Sequence, residues 1–225
     1  KKILSILAVG LTGLLCLTGC EKKDPYEEAV AKMQDLDSYR LTYNIVASVE
    51  TEGITLDMPI KLDMAFDMKN HISKVDSSIT MLGMTFTTEG YVDSNDPNHV
   101  ITYQKTIGED TWTKSVSEEP SMTGSDILSD IENPEQVSSD DSIYLYRANI
   151  SKEVLSEVIA TASTDATDSS MFQVNGDTTM DIEVDKETGY ITRLYMDLTD
   201  AVSVSSEDVS MTKMTFEFLL SDFNE

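Results

Sequence analysis

The stretch ITLDMPIKLDMAFDM, Ile54 to Met68, decides the fold class. Every even-numbered residue in it is apolar: Ile54, Leu56, Met58, Ile60, Leu62, Met64, Phe66 and Met68. Between them lie Thr55, Asp57, Lys61, Asp63 and Asp67, which favour water. Side chains alternate across a strand, so a period of two over this length predicts one long strand with a dry face and a wet face. Antiparallel sheets permit that arrangement.

The same pattern extends in both directions. Upstream, Tyr39, Leu41, Tyr43, Ile45, Ala47 and Val49 share a face, and Gly53 marks the turn between the two strands. Downstream, HISKVDSSITML turns at Gly83 into MTFTTEGYVD, and NHVITYQKTI turns through Gly108–Asp110 into TWTKSV. Tyr144–Ile150 reads as a further strand. TTMDIEVDKETGYITRLYMDLTD reads as a hairpin turning over Asp185–Gly189, with Gly189 suited to a left-handed conformation. A closing strand puts Met214, Phe216, Phe218 and Leu220 on one side.

Helical spacing interrupts this pattern at a few points. Pro25 suits a first helical turn, Asp24 suits its N-cap, and Ala29, Met33 and Leu36 follow at 3.6-residue spacing. SKEVLSEVIATA aligns Val154, Leu155, Val158 and Ile159, and Ser121–Asp130 forms a third candidate helix. Ser163–Ser170 reads as a polar loop. The expectation is an α+β fold, a curved antiparallel sheet or incomplete β-barrel wrapped over two or three helices.

The first residues read differently. Lys1 and Lys2 precede an apolar run from Ile3 to Leu17, which is shorter than the roughly 20 residues a spanning helix needs. That is the layout of a secretory signal. Leu17-Thr18-Gly19-Cys20 resembles the lipobox of bacterial lipoproteins, which implies a diacylglyceryl group on the Cys20 sulfur and cleavage just before it. An ordinary secretory signal with an incidental cysteine is the alternative. The expected division is 1–19 signal peptide, 20–24 lipidated spacer and 25–225 a single domain. Two acyl chains suffice to hold a protein on a membrane where one is marginal. The expected location is therefore the extracytoplasmic face of the cell membrane.

Composition narrows the function. The chain carries a formal charge of −25, and losing Lys1 and Lys2 makes it more negative still. Such a body repels phosphate backbones, so nucleic acid is excluded as a partner. The two cysteines are Cys16, within the signal, and Cys20, so the domain has no thiol for a disulfide or for thiol catalysis. Stability must come from an apolar core, for which the chain is long enough.

In element order the chain resembles the LolA/LolB and LppX/LprG group, incomplete barrels closed by helices. AVAKMQDLDSYRLTYNI (Ala29–Ile45), TWTKS (Thr111–Ser115) and VDKETGYITRLYMDLT (Val184–Thr199) also resemble segments of uncharacterised Gram-positive lipoproteins. The resemblance implies a hydrophobic cavity that receives a lipid or lipopeptide. The cavity residues it suggests are Met58, Ile60, Leu62, Met64, Phe66, Met68, Met180, Met196, Met214 and Phe216. Methionine suits a pocket that adapts to variable apolar ligands, and it equally suits an ordinary core.

Other residues carry less. Trp112 reads as core, and Tyr39, Tyr43, Tyr144 and Tyr146 fit a barrel mouth or a core alike. DSNDPN (Asp93–Asn98) and SSDDS (Ser138–Ser142) lack the spacing of a calcium loop and read as solvated loops. His71 and His99 belong to no zinc motif, and no nucleophile elbow is present. No metal, cofactor or catalysis is expected. The leading expectation is a non-catalytic binder of an apolar ligand. The alternative is a filled-core module at the cell surface that senses or engages an unidentified protein partner.

Overall fold

The computed structural model describes residues 24–81, 83–96, 99–117, 131, 134–162, 172–204 and 209–225. The expected signal peptide, Cys20, nearly all of the spacer, the candidate helix at Ser121–Asp130 and the loop at Ser163–Ser170 lie outside these residues.

The α+β expectation is corrected by what the chain forms. The described residues are mostly β: an eleven-stranded antiparallel sheet, a two-stranded ribbon and two short helices. In chain order these are α1 (Pro25–Gln34), β1 (Ser38–Thr51), β2 (Ile54–Asp67), β3 (Ile72–Met81), β4 (Met84–Asp96), β5 (His99–Thr106), β6 (Thr113–Ser117), β7 (Glu135–Ser139) and β8 (Ile143–Ile150). Then follow α2 (Lys152–Ala162), β9 (Phe172–Val174), β10 (Thr178–Asp185), β11 (Ile191–Asp197), β12 (Val202–Val204) and β13 (Val209–Ser221). The large sheet runs β6-β5-β4-β3-β2-β1-β13-β11-β10-β8-β7, and β12 pairs with β9.

The sheet is open, with β6 and β7 as its two edges. Geometry explains why two helices cannot fill it. Eleven strands span about 50 Å at their usual spacing. Helices of 10 and 11 residues are only about 15 Å long. Among the described residues they lie over one half of the sheet and leave the other half without a helical cover.

Local chemistry sets each element. Asp24 caps α1, its Oδ1 accepting from the Tyr26 amide at 2.8 Å, and Pro25 occupies the first turn. Strands β1 and β2 are fully registered from Ser38–Asp67 to Thr51–Ile54, so the alternation read in Ile54–Met68 is the pleat of a real hairpin. Gly53 takes φ 77° at its tip, a conformation that L side chains rarely adopt. Pro59 has no N–H to give, and β2 pairs with β3 only from Ile60 onward.

The core lies under α1, α2 and the β9–β12 ribbon. Ala29 of α1 is fully buried, and the cluster includes Leu41, Tyr146, Ala148, Leu155, Met180, Ile182, Val184, Ile191, Leu194, Leu198, Val202 and Phe218. The opposite face of this half is polar. There Arg193 bridges Glu183 at 2.8 Å and Glu217 at 2.7 Å, and Arg147 grips Asp181 through two nitrogens at 2.6 and 3.0 Å.

Candidate functional site

The sheet's registers link single residues into rows that cross it. Ala148 opposes Met180, Met180 opposes Met196, and Met196 opposes Phe216. Phe216 opposes Ile45, Ile45 opposes Ile60, Ile60 opposes Ile79, and Ile79 opposes Phe86. Eight strands thus contribute one apolar row on the helix-bearing face. Its cover fades along the way: Ala148, Met180 and Met196 are buried, Phe216, Ile45 and Ile60 half-buried, Ile79 38% exposed and Phe86 51% exposed.

A second row shows the same gradient with a change in chemistry. Tyr146, Ile182, Leu194 and Phe218 are buried, Tyr43 and Leu62 are half-buried, and the row ends in Ser77, Thr88 and Thr106. Tyr43 sits at the boundary, its ring 4.3 Å from Phe218. Burial pushes its hydroxyl up to about 12, so it stays neutral across physiological pH. On β5 and β6 the same face carries Thr102, Gln104, Ser115 and Ser117. The face therefore grades from packed core through an open apolar shelf to a hydroxyl-bearing edge.

The ten residues proposed as cavity lining all come to this one face, in two environments. Met180, Met196 and Met214 are buried in the packed cluster. Met64, Phe66, Met68 and Phe216 pack at its margin, with Phe66 stacked on Tyr39 at 4.6 Å. Met58, Ile60 and Leu62 lie half-buried on the shelf, past the cluster.

Two further shelf residues, Ile79 and Phe86, escaped the sequence reading. The signal was present, because both fall on the apolar parity of their strands, but serine and threonine neighbours diluted it. Trp112, read as core, is 40% exposed. It precedes a short edge strand, and its ring lies 5.8 Å from Tyr91.

Other features do not converge on this face. A surface pocket of about 240 Å³ is lined by Ser38, Tyr39, Arg40, Ala65, Phe66, Asp222 and Glu225, and the Arg40–Asp222 ion pair crosses its rim. It is smaller than the roughly 300–1,000 Å³ usual for ligand sites. His99 pairs with Asp96 at 2.9 Å on the exposed surface, and His71 occupies a turn. Among the described residues no cluster of histidine and carboxylates could hold a metal, and no helix is long and apolar enough to cross a membrane.

Comparison with known proteins gives distant likenesses. No family model and no curated protein matches the chain. Among solved structures it is similar to LprF from Mycobacterium bovis, at 9% identity and a TM-score of 0.48, over 89% of this chain and 91% of that one. It is also similar to a DUF1329 family protein from Desulfovibrio piger, at 10% identity and a TM-score of 0.26, over the same shares. Likenesses this remote carry no argument about function.

Proposed function

We propose that this protein is a cell-envelope lipoprotein that holds an apolar ligand, a lipid or lipopeptide, against the open half of its sheet. Anchoring rests on the Leu17–Cys20 quartet and the apolar run before it, which would fix the domain to the extracytoplasmic face of the membrane through Cys20. Binding rests on one observation: the apolar row of the core continues past its helical cover through Ile60, Ile79 and Phe86. A soluble domain rarely leaves such a continuous face bare unless something docks there. Acyl chains suit it, since each buried CH₂ contributes about 0.8 kcal/mol without needing a directional partner. No covalent step is involved.

The test is titration of a fluorescent fatty acid into delipidated protein, alone and with Ile60→Asp plus Phe86→Asp. The expected result is saturable binding that the double variant weakens at least about tenfold, since two charges on the shelf oppose burial of a chain. Absent binding, or binding that the variant leaves unchanged, overturns the proposal.

A second reading has an observation of its own. Met180, Met196 and Met214 are packed into the core, as a filled protein-interaction or sensing module requires. Under that reading the shelf docks a protein and takes up no fatty acid.

A further inference from the structure

In an antiparallel meander, alternate turns fall at the same end of the sheet. The β1–β2, β3–β4 and β5–β6 tips therefore share one rim, and the β2–β3 and β4–β5 turns lie opposite. Each of the three tips exposes a large apolar side chain: Ile54 at 59%, Met84 at 57% and Ile107 at 62%. Trp112 ends the same β5–β6 connection that begins at Ile107. These are among the most exposed large hydrophobic residues of the described chain, and they are gathered at one end.

We infer that this rim rests on a lipid bilayer, Ile54, Met84, Ile107 and Trp112 entering its interface. Three features favour a bilayer over a protein. Successive tips are two strands apart and also stepped along the sheet, Ile54 standing six residues past the Ile60–Ile79–Phe86 row and Met84 two, so the apolar groups are separate prongs. A fluid surface receives prongs singly, whereas a protein partner needs a continuous matched patch.

The aromatic chemistry is the second feature. Tryptophan and tyrosine favour the membrane–water boundary. Here Trp112 lies in the β5–β6 connection with Lys105 Nζ 5.2 Å from its ring centroid, while Tyr91 and Tyr103, which oppose each other farther down β4 and β5, have Lys114 Nζ 5.6 Å from the Tyr103 centroid. The third is charge. Lysines stacked along rings can extend their cations to lipid phosphates. Lys74, on the same face, is instead paired with Asp76 and Glu89. Glu52, Glu109 and Asp110 lie at the same tips, so the surface that fits is zwitterionic and not strongly anionic.

This inference deepens the ligand-binding reading and rests on it for its purpose: Ile54 and Met84 end the same face as the shelf, so a seated rim opens the shelf to acyl chains from the bilayer. The contact itself can be tested separately. A chain starting at Glu21, without the lipidated cysteine, is floated with phosphatidylcholine vesicles while Trp112, the only tryptophan, reports by its emission.

The expected result is co-flotation, a blue shift of Trp112 and its quenching by bromine-labelled lipid. Ile54→Ser with Met84→Ser and Ile107→Ser should weaken flotation at least about a hundredfold, and vesicles enriched in phosphatidylglycerol should bind less well. Quenching needs no variant, so it stands even if the triple substitution disturbs folding. No flotation and no quenching overturns the inference, as does flotation that the triple variant leaves intact. Dimerisation abolished by that variant, without flotation, assigns the rim to a second copy and also overturns it. Fatty-acid uptake without vesicle binding removes the rim's role and leaves the shelf reading standing. Vesicle binding without uptake does the reverse.

Discussion

Asp24 shows how much one side chain can join. Its Oδ1 accepts from the Tyr26 amide and from the Tyr146 hydroxyl, each at 2.8 Å, so it caps α1 and fastens that helix to β8. Asp24→Ala removes both bonds and is expected to cost about 1–3 kcal/mol in chemical denaturation. Tyr146→Phe should cost less, and the double variant less than the sum of the two. Tyr26 behaves oppositely. Its hydroxyl is buried with no hydrogen-bond partner among the described residues, so Tyr26→Phe should leave stability unchanged or raise it by about 1 kcal/mol. Glu217 supplies a pH signature. The Arg193 guanidinium beside it holds its carboxyl below the usual glutamate value. A lowered native value stabilises the fold above the unfolded-state value and ceases to as pH falls through the native one. Glu217→Gln should therefore be less stable than the parent at pH 7, by about 1–2 kcal/mol, with the gap closing below about pH 4. A gap that persists at low pH would show that packing, not charge, holds this position.

Elements were legible where their signal is local. The cap and proline of α1, the long alternation of β1 and β2, and the Asp185–Gly189 turn all follow from neighbouring residues. Gly189 indeed takes φ 69°, and the turn is closed by the Thr188 amide donating to Asp185 Oδ1 at 2.7 Å. The strands missed were β7, β9 and β12, of five, three and three residues, too short for a period to register. Cover was illegible for a deeper reason. Parity fixes the face to which a side chain points, but not what lies above that face. Met58 and Met180 read alike in sequence. One is half-buried on the shelf and the other sealed beneath the helices, because α1 contacts β10 and β11, which are distant from β2 in the sheet. Truncation separates the two environments. Ile182→Ala, in the sealed half, should cost about 2–5 kcal/mol, whereas Ile60→Ala on the shelf should cost no more than about half as much. Equal losses would mean that the shelf is covered.

At the scale of the whole molecule, charge and apolar surface act against each other. A formal charge of −25 works against compaction, so salt should raise the thermal midpoint until the repulsion is screened. Among the described residues, the sheet of this charged chain is bare over half of one face. The composition gave no sign of this bare half, which follows from the mismatch between two helices about 15 Å long and a sheet about 50 Å wide. Among the described residues, the face expected to line a half-barrel cavity is packed at one end and open at the other. Native mass spectrometry of the chain from Glu21 to Glu225, purified without detergent, tests the ligand-binding claim most directly. The expected result is an adduct of lipid mass that organic extraction removes, that added fatty acid restores, and that Ile60→Asp with Phe86→Asp prevents. A bare protein mass that no added lipid changes would contradict it.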